Sequence, residues 1–295
     1  MASIPLFGSV AIIGLGLIGS SLARVIKRDG LAGEIIGCAR SQATRDKAME
    51  LGFVDRVEED AAKAVKNADL VVICTPIGTY KELGERIAPH LKKGAILSDV
   101  GSVKAAVLRE LGPFVPEGIH LVPAHPVAGT EHSGPEAGFD TLFEGRWCVL
   151  TPARETAAEA VERVAEFWRR AGSKIEIMDA NHHDKVMAIT SHLPHLIAYT
   201  IVGTATDLEE SARAEVIKFS ASGFRDFTRI AASDPVMWRD IFLNNQEAVL
   251  EMLGRFSEDL TALQRAIRWG DGKKLQDLFT RTRAIRRSII DAKQA

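Results

Sequence analysis

The sequence predicts an α/β chain: a doubly wound, Rossmann-type parallel sheet domain followed by an all-helical C-terminal domain. Three observations carry this. Short apolar runs alternate with amphipathic segments over the first 180 residues, a glycine turn joins the first run to the first helical segment, and strand-like runs stop near residue 180. Strands buried on both faces read as near-continuous apolar runs, and helices between them supply the crossovers.

The apolar runs are VAIIG (10–14), EIIGCA (34–39), DLVVICTP (69–76), AILSDV (95–100), IHLVPAHP (119–126), WCVLTP (147–152) and KIEIMD (174–179). Helical segments fall between them near 17–28, 42–51, 58–67, 79–91, 102–111 and 155–171. Asp179 is a suitable N-cap, and the periodicity after it is helical. Pro194 interrupts the first of these helices, removes a backbone donor and should kink it. The expected domains are 1–180, binding a dinucleotide, and 181–295, a helical substrate and dimerisation domain. Long apolar faces in so small a helical half call for a second copy of the chain.

A chain of 295 residues, 46% hydrophobic and 26% charged, suits a soluble protein of two domains. A net charge of −2 gives no reason to expect a nucleic-acid or anionic-membrane partner. The basic RTRAIRR stretch (281–287) contains Ala284 and Ile285 and reads as a solvated helix face. Cys38, Cys74 and Cys148 form no CxxC pair and lie in or beside apolar runs, against a disulfide framework. With no signal pattern at the N-terminus, a cytoplasmic location without membrane contact is expected.

Gly14, Gly16 and Gly19 follow an apolar strand and open a helix, and a second strand ends about 20 residues further on, which is a dinucleotide fingerprint. Gly14 permits the tight turn, Gly16 lets backbone approach a pyrophosphate, and Gly19 allows close helix–strand contact. The N–H groups of Leu17 and Ile18 and the helix dipole favour phosphate. The second strand ends in CARSQATR, without the acidic residue that binds a ribose 2′-hydroxyl. Arg40, Ser41 and Thr44 suit a 2′-phosphate, so NADP is favoured over NAD, although Arg40 could also stack on adenine with either cofactor. Thr75 and Pro76 are expected on the nicotinamide side.

Two further strand ends face the same crevice, SDVGSVK (98–104) and PAHPVAGTEHSG (123–134). Ser102 fits a helix N-cap, a role beside the reacting group, or both. His125 sits on a turn stiffened by Pro126 and flanked by the small Ala124, Ala128 and Gly129. It fits either a satisfied structural histidine or an acid–base group at the nicotinamide.

DVGSVK, HPVAGTEHSG, HHDKVMAITSHLPH (182–195) and GFRDFTRIAASDPVMWRDI (223–241), with the glycine turn, resemble the TyrA family of prephenate and arogenate dehydrogenases in tyrosine biosynthesis. The resemblance runs from about residue 8 to about residue 290, with no chorismate mutase or ACT module expected. It implies NAD(P)-dependent oxidative decarboxylation of a cyclohexadienyl acid, driven by aromatisation and needing no metal. His125 then contacts the substrate hydroxyl and accepts its proton, with Ser102 hydrogen-bonded nearby. Arg229 binds a substrate carboxylate, His195 lies on the substrate side, His183 and His192 support the substrate pocket or the cofactor, and Trp238 lies near the active site, in the core or at a dimer interface. On an uninterrupted helix His192 and His195 project about 60° apart, whereas His183 lies opposite His192, which ranks His183 below His195. Glu131, matching a position at the pocket mouth, would attract the ammonium of arogenate and leans toward arogenate or dual use, with His132 offsetting it. The implied partners are prephenate or arogenate and a second copy of the chain.

Three other readings stand beside this one. SHLPH could suggest a metal site, against which stand Pro194, the lack of an adjacent Glu base and the lack of a third ligand. A β-hydroxyacid or pyrroline-carboxylate type reductase shares the glycine turn and helical half, but the GxxxKxxxN pattern of the β-hydroxyacid family fails around Lys185. A nonenzymatic nucleotide-sensing module would keep the glycines without needing His125, Ser102 and Arg229 together.

Overall fold

Strand β1 (Phe7–Ile13) buries every residue but one, on both of its faces. Val10 and Ile12 pack against α1 (Leu17–Asp29) and α6 (Ala158–Arg170), while Ala11 and Ile13 pack toward α3 (Ala61–Val65), α4 (Tyr80–Ile87) and α5 (Lys104–Leu111). This two-sided burial is why the first run lacks polar alternation. Truncating either Phe167 or Trp168, the buried aromatics of α6, to alanine would cost about 3–5 kcal/mol.

The computed structural model describes residues 4–130, 132–206, 215, 218–219 and 221–291. β1 pairs with β2 (Ala32–Cys38) and β4 (Leu70–Ile73), β2 with β3 (Arg56–Glu58), and β5 (Ile96–Asp99) joins β4 to β6 (His120–Val122), all parallel. The order β3-β2-β1-β4-β5-β6 reverses direction between β1 and β4, and ligands bind beyond the strand carboxyl ends at such a switch point. Helix α2 (Gln42–Glu50) follows β2.

Two strand features differ from the sequence reading. β3 has the sequence RVE and is only half-buried at the sheet edge, so no apolar run announces it. The run at 119–126 is divided at Pro123, which has no N–H to continue the β6 ladder. Its second half, β7 (Ala124–Pro126), starts a separate sheet, antiparallel to β8 (Trp147–Leu150), with β9 (Lys174–Ile177) parallel to β8. His125 therefore stands off the main sheet, just beyond the end of β6.

Asp179 caps α7 (Ala180–Met187), accepting from the amides of Asn181 and His182 at 2.9 and 3.1 Å. The expected kink at Pro194 takes the form of a wide π-helical turn, Ala188–His192, before α8 (Leu193–Thr206). Residues 180–205 are long and apolar enough to cross a membrane, at a mean hydropathy of 1.3. Yet their buried His183, Asp184 and His192 are hydrogen-bonded within the protein, which marks the segment as part of a polar site. After α9 (Ser222–Thr228), α10 (Pro235–Asn244) opens on Pro235 with Asp234 accepting from the amide of Met237 at 2.8 Å. No strand follows β9 among the described residues.

The chain divides into compact units at 1–246 and 247–295, later than the change of pattern at residue 180. The reason is packing: Trp238 and Ile241 of α10 share a core with Ile77, Tyr80 and Val103. The second unit holds nearly all of α11 (Gln246–Arg268) and all of α12 (Gly272–Asp291), turned at Gly270 with φ +65. Leu260, Leu263, Ile267, Leu275 and Phe279 line an apolar groove of about 410 Å³ there.

Candidate active site

The glycine turn is built as its sequence requires. Gly14 has φ +100, and a Cβ there would lie 2.7 Å from the Cys74 carbonyl oxygen and 3.0 Å from Thr75 Cγ2. A Cβ on Gly19 would lie 2.0 Å from the Gly14 oxygen. A Cβ on Gly16 would meet nothing within 4 Å, so the space over the start of α1 is open. Gly16 is also the N-cap of α1, with no side-chain cap and no acidic residue in the first turn. Uncapped N–H groups at Leu17 and Ile18 under an open cradle fit a diphosphate.

Beyond β2, buried Arg45 donates through Nη1 to the carbonyls of Ala39 and Arg40, each at 2.7 Å. The loop is braced by Arg45, which sequence reasoning missed, and Arg40 is left exposed. Ser41 occupies the N-cap position of α2 without using its hydroxyl there, and Thr44 is half-buried. Thr75 pairs with Thr79 hydroxyl to hydroxyl at 2.8 Å, and exposed Pro76 precedes a 3₁₀ turn, Ile77–Thr79.

His125 is buried, and its Nδ1 lies 2.8 Å from His183 Nε2. His183 Nδ1 in turn lies 2.8 Å from Asp184 Oδ1. The Asp184 carboxylate accepts the amides of Lys104 at 2.7 Å and Ala105 at 2.9 Å, so α7 caps α5. This corrects the N-cap reading of Ser102: Val103 holds the cap position, and the half-buried Ser102 hydroxyl has no partner among the described residues. Burial pushes the His125 pKa well below its ordinary value, and the charges of His183, Lys104 and His192 push the same way. Burial also lowers His183, against the opposing hydrogen bond to Asp184. Both rings are therefore neutral near pH 7.

A buried ion pair holds the backbone beside His125. Lys104 Nζ donates to Asp99 Oδ2 and to the Ala124 carbonyl, both at 2.6 Å. Asp99 also accepts from Gly101 N at 2.7 Å, Tyr80 OH at 3.2 Å and Ala124 N at 3.2 Å. Both backbone polar groups of Ala124 are thus tied to the end of β5 and the start of α5. Burial pushes the Lys104 ammonium below its ordinary value, with the Asp99 carboxylate opposing.

On the substrate side of the expected pocket, His195 donates through Nδ1 to the Ser191 carbonyl at 2.8 Å and stacks on Trp238, centroids 3.6 Å apart. Trp238 meets the edge of His192 at 6.0 Å. Asn245 Nδ2 donates to the Asp184 carbonyl at 2.9 Å and to His192 Nδ1 at 3.0 Å, so His192 carries its proton on Nε2. That Nε2 and Trp238 Nε1 are buried donors without a partner among the described residues. Burial pushes His192 down to about 4 and also lowers His195, where the positive charge of Arg229 adds to the effect. Arg229 is exposed in the 3₁₀ turn Arg229–Ala232 after α9. A Cβ on Gly78 would lie 2.6 Å from Asp240 Oδ2, which sets the Trp238 helix against the turn that begins at Thr75.

The helix projection misjudged His183. The π-helical turn between His183 and His192 changes the register, and both rings end buried in one network with His125 and Asn245. Asp184, Lys104, Asp99 and Asn245 were missed as well. The adjacent histidine and aspartate in HHDK and the lysine of GSVK were available signals; Asn245, 61 residues after Asp184, has none. Glu131 lies outside the described residues, and His132 is exposed. Lys185 is exposed too, which further weakens a lysine-based β-hydroxyacid site.

Two family models match the chain: the nucleotide-binding domain of prephenate dehydrogenase over residues 22–177 and its dimerization domain over residues 179–281. A cyclohexadienyl dehydrogenase of Zymomonas mobilis is 42% identical over 283 residues, 96% of each chain. The crystal structure of prephenate dehydrogenase from A. aeolicus with hydroxyphenyl propionate and NAD+ superposes with a TM-score of 0.89 at 32% identity, covering 97% of this chain and 99% of that one. Synechocystis arogenate dehydrogenase gives a TM-score of 0.79 at 29% identity, covering 95% and 99%.

Proposed function

The chain belongs to the prephenate dehydrogenase family, and from that premise we propose that His125 is the proton acceptor in its NAD(P)-dependent oxidative decarboxylation of a cyclohexadienyl acid. The observation that carries this is a buried, neutral imidazole held by one ring nitrogen, on a strand tied through Ala124 to the carboxyl end of β5. Nicotinamide, when bound, takes up the hydride from the carbinol carbon. The residues supply the rest. His125 accepts the hydroxyl proton, and the Ser102 hydroxyl hydrogen-bonds beside it. Arg229 grips a substrate carboxylate, while His195 packs along the ring on the Trp238 platform. The buried N–H groups of His192 and Trp238 offer hydrogen bonds to substrate oxygens, since leaving both unpaired in the complex would cost about 1–3 kcal/mol each.

The cradle at Gly16 and the first turn of α1 support NAD(P) binding. NADP is the preferred form on this reading, because exposed Arg40 and the Ser41 hydroxyl, which makes no cap hydrogen bond, stand at the end of β2 with Thr44 nearby. Arg40→Asp is expected to raise the NAD/NADP ratio of kcat/KM by at least about tenfold, the loss of one charge-assisted contact to a phosphate. An unchanged ratio means that Arg40 does not read the phosphate.

Both prephenate and arogenate are expected substrates, a reading supported by the likeness to both the A. aeolicus prephenate dehydrogenase and the Synechocystis arogenate dehydrogenase. Assaying each substrate with NADP and with NAD, following reduced nicotinamide, tests the function; no turnover in any of the four combinations overturns it. Arg229→Ala should raise KM for the accepted substrate about 10- to 100-fold, as expected when a carboxylate loses a charge-assisted contact to a guanidinium. A KM unchanged in that variant assigns the carboxylate to another group.

The functional division into residues 1–180 and 181–295 is supported by where the two family models meet. Dimerisation through the helical part is supported by the dimerization-domain match and by exposed apolar side chains such as Leu260, Ile267 and Phe279.

A further inference from the structure

We propose that His183 and Asp184 are positioning residues that hold His125 in the tautomer protonated at Nδ1 and leave its Nε2 bare, an inference resting on the reading of His125 as proton acceptor. The assignment follows from counting donors. Asp184 receives two backbone amides at the positive end of α5, Lys104 N on Oδ1 and Ala105 N on Oδ2, so both of its oxygens act as acceptors. The contact of His183 Nδ1 with Oδ1 at 2.8 Å therefore needs the proton on Nδ1. A bare Nδ1 would set a lone pair against an anion. In a neutral ring His183 Nε2 is then the acceptor, and the 2.8 Å contact to His125 must be donated by His125 Nδ1. One lone pair is left on His125, at Nε2.

The groups acting on the two rings are consistent with this state. His125 feels His183, Lys104 and His192, and His183 feels Asp184, Lys104 and Asp99. The Lys104 ammonium disfavours a second proton on either ring, and Asp184 is the anion in direct contact with His183. When His125 takes the substrate's hydroxyl proton on Nε2, that O–H bond breaks and an N–H bond forms. The resulting imidazolium keeps its Nδ1–H on His183, whose own Nδ1–H remains on Asp184. Isolated imidazole has no such anchor. The backbone of β7 holds the residue, but among the described residues only this bond fixes which edge of the ring carries the lone pair.

The test is the tautomer itself, read from long-range 1H–15N correlations on histidine-labelled full-length protein without substrate, with His125 assigned by comparison with His125→Asn. The expected wild-type spectrum shows His125 protonated at Nδ1 and bare at Nε2; a proton on Nε2 overturns the proposal without need of any variant. In His183→Phe the His125 ring should lose that tautomer, and kcat should fall about 10- to 100-fold with KM within about twofold. His183→Gln, whose amide oxygen can accept from Nδ1, should recover the tautomer and most of kcat. A His125 tautomer unmoved in His183→Phe also overturns it. If the tautomer is as stated but neither prephenate nor arogenate turns over, the functional reading fails and the positioning role stands.

Discussion

His125→Asn is expected to lower kcat at least about 100-fold while leaving NAD(P) affinity within about twofold. Asparagine keeps a polar side chain of smaller volume, and its amide can still donate toward His183. What it lacks is the basic ring nitrogen that accepts the substrate's hydroxyl proton. Gly14, Gly16 and Thr75, proposed to face the cofactor, belong to different strand ends and are not touched by the change. Steady-state kinetics with the accepted substrate and a fluorescence titration with the cofactor separate the two quantities. A kcat within tenfold of the parent would remove His125 from the proton transfer, whereas a large loss of cofactor affinity would mean that the substitution disturbs the nucleotide site.

What could be read from sequence, and what could not, follows from range. Glycines at 14, 16 and 19 act through local backbone geometry, and each proved to have the space or crowding its position implies. The doubly wound sheet was legible because two-sided burial writes itself into consecutive apolar residues such as Val10 to Ile13. Strand β3 carried no such run, and the break at Pro123 was hidden inside one. The partners of His125 were a different problem. His183 was seen but projected onto the wrong face, because a π-helical turn changes the phase that a straight helix assumes. Asp184 and Asn245 act across 80 and 61 residues of sequence, so periodicity says nothing about them. Arg45, inside CARSQATR, carried no signal of its own and is spent on two loop carbonyls.

Lys104→Met should destabilise the first compact unit by about 3–5 kcal/mol, because it leaves a buried carboxylate without its cation. Both partners are fully buried, and methionine fills nearly the same volume, so a cavity adds little to the loss. Asp99 would retain its hydrogen bonds from Gly101, Tyr80 and Ala124, which hold the anion in place but do not neutralise it. The Ala124 carbonyl would lose its donor in the same step, and that carbonyl immediately precedes His125. Stability and chemistry are therefore expected to fail together: a lower urea midpoint, and a kcat reduced even in the fraction that remains folded and at saturating substrate. The ordering matters for the comparison with His125→Asn, which should cost activity with little change in the urea midpoint. A Lys104→Met protein that unfolds within about 1 kcal/mol of the parent would mean that the three remaining donors suffice for Asp99, and that the link between the two sheets rests on packing rather than on this pair.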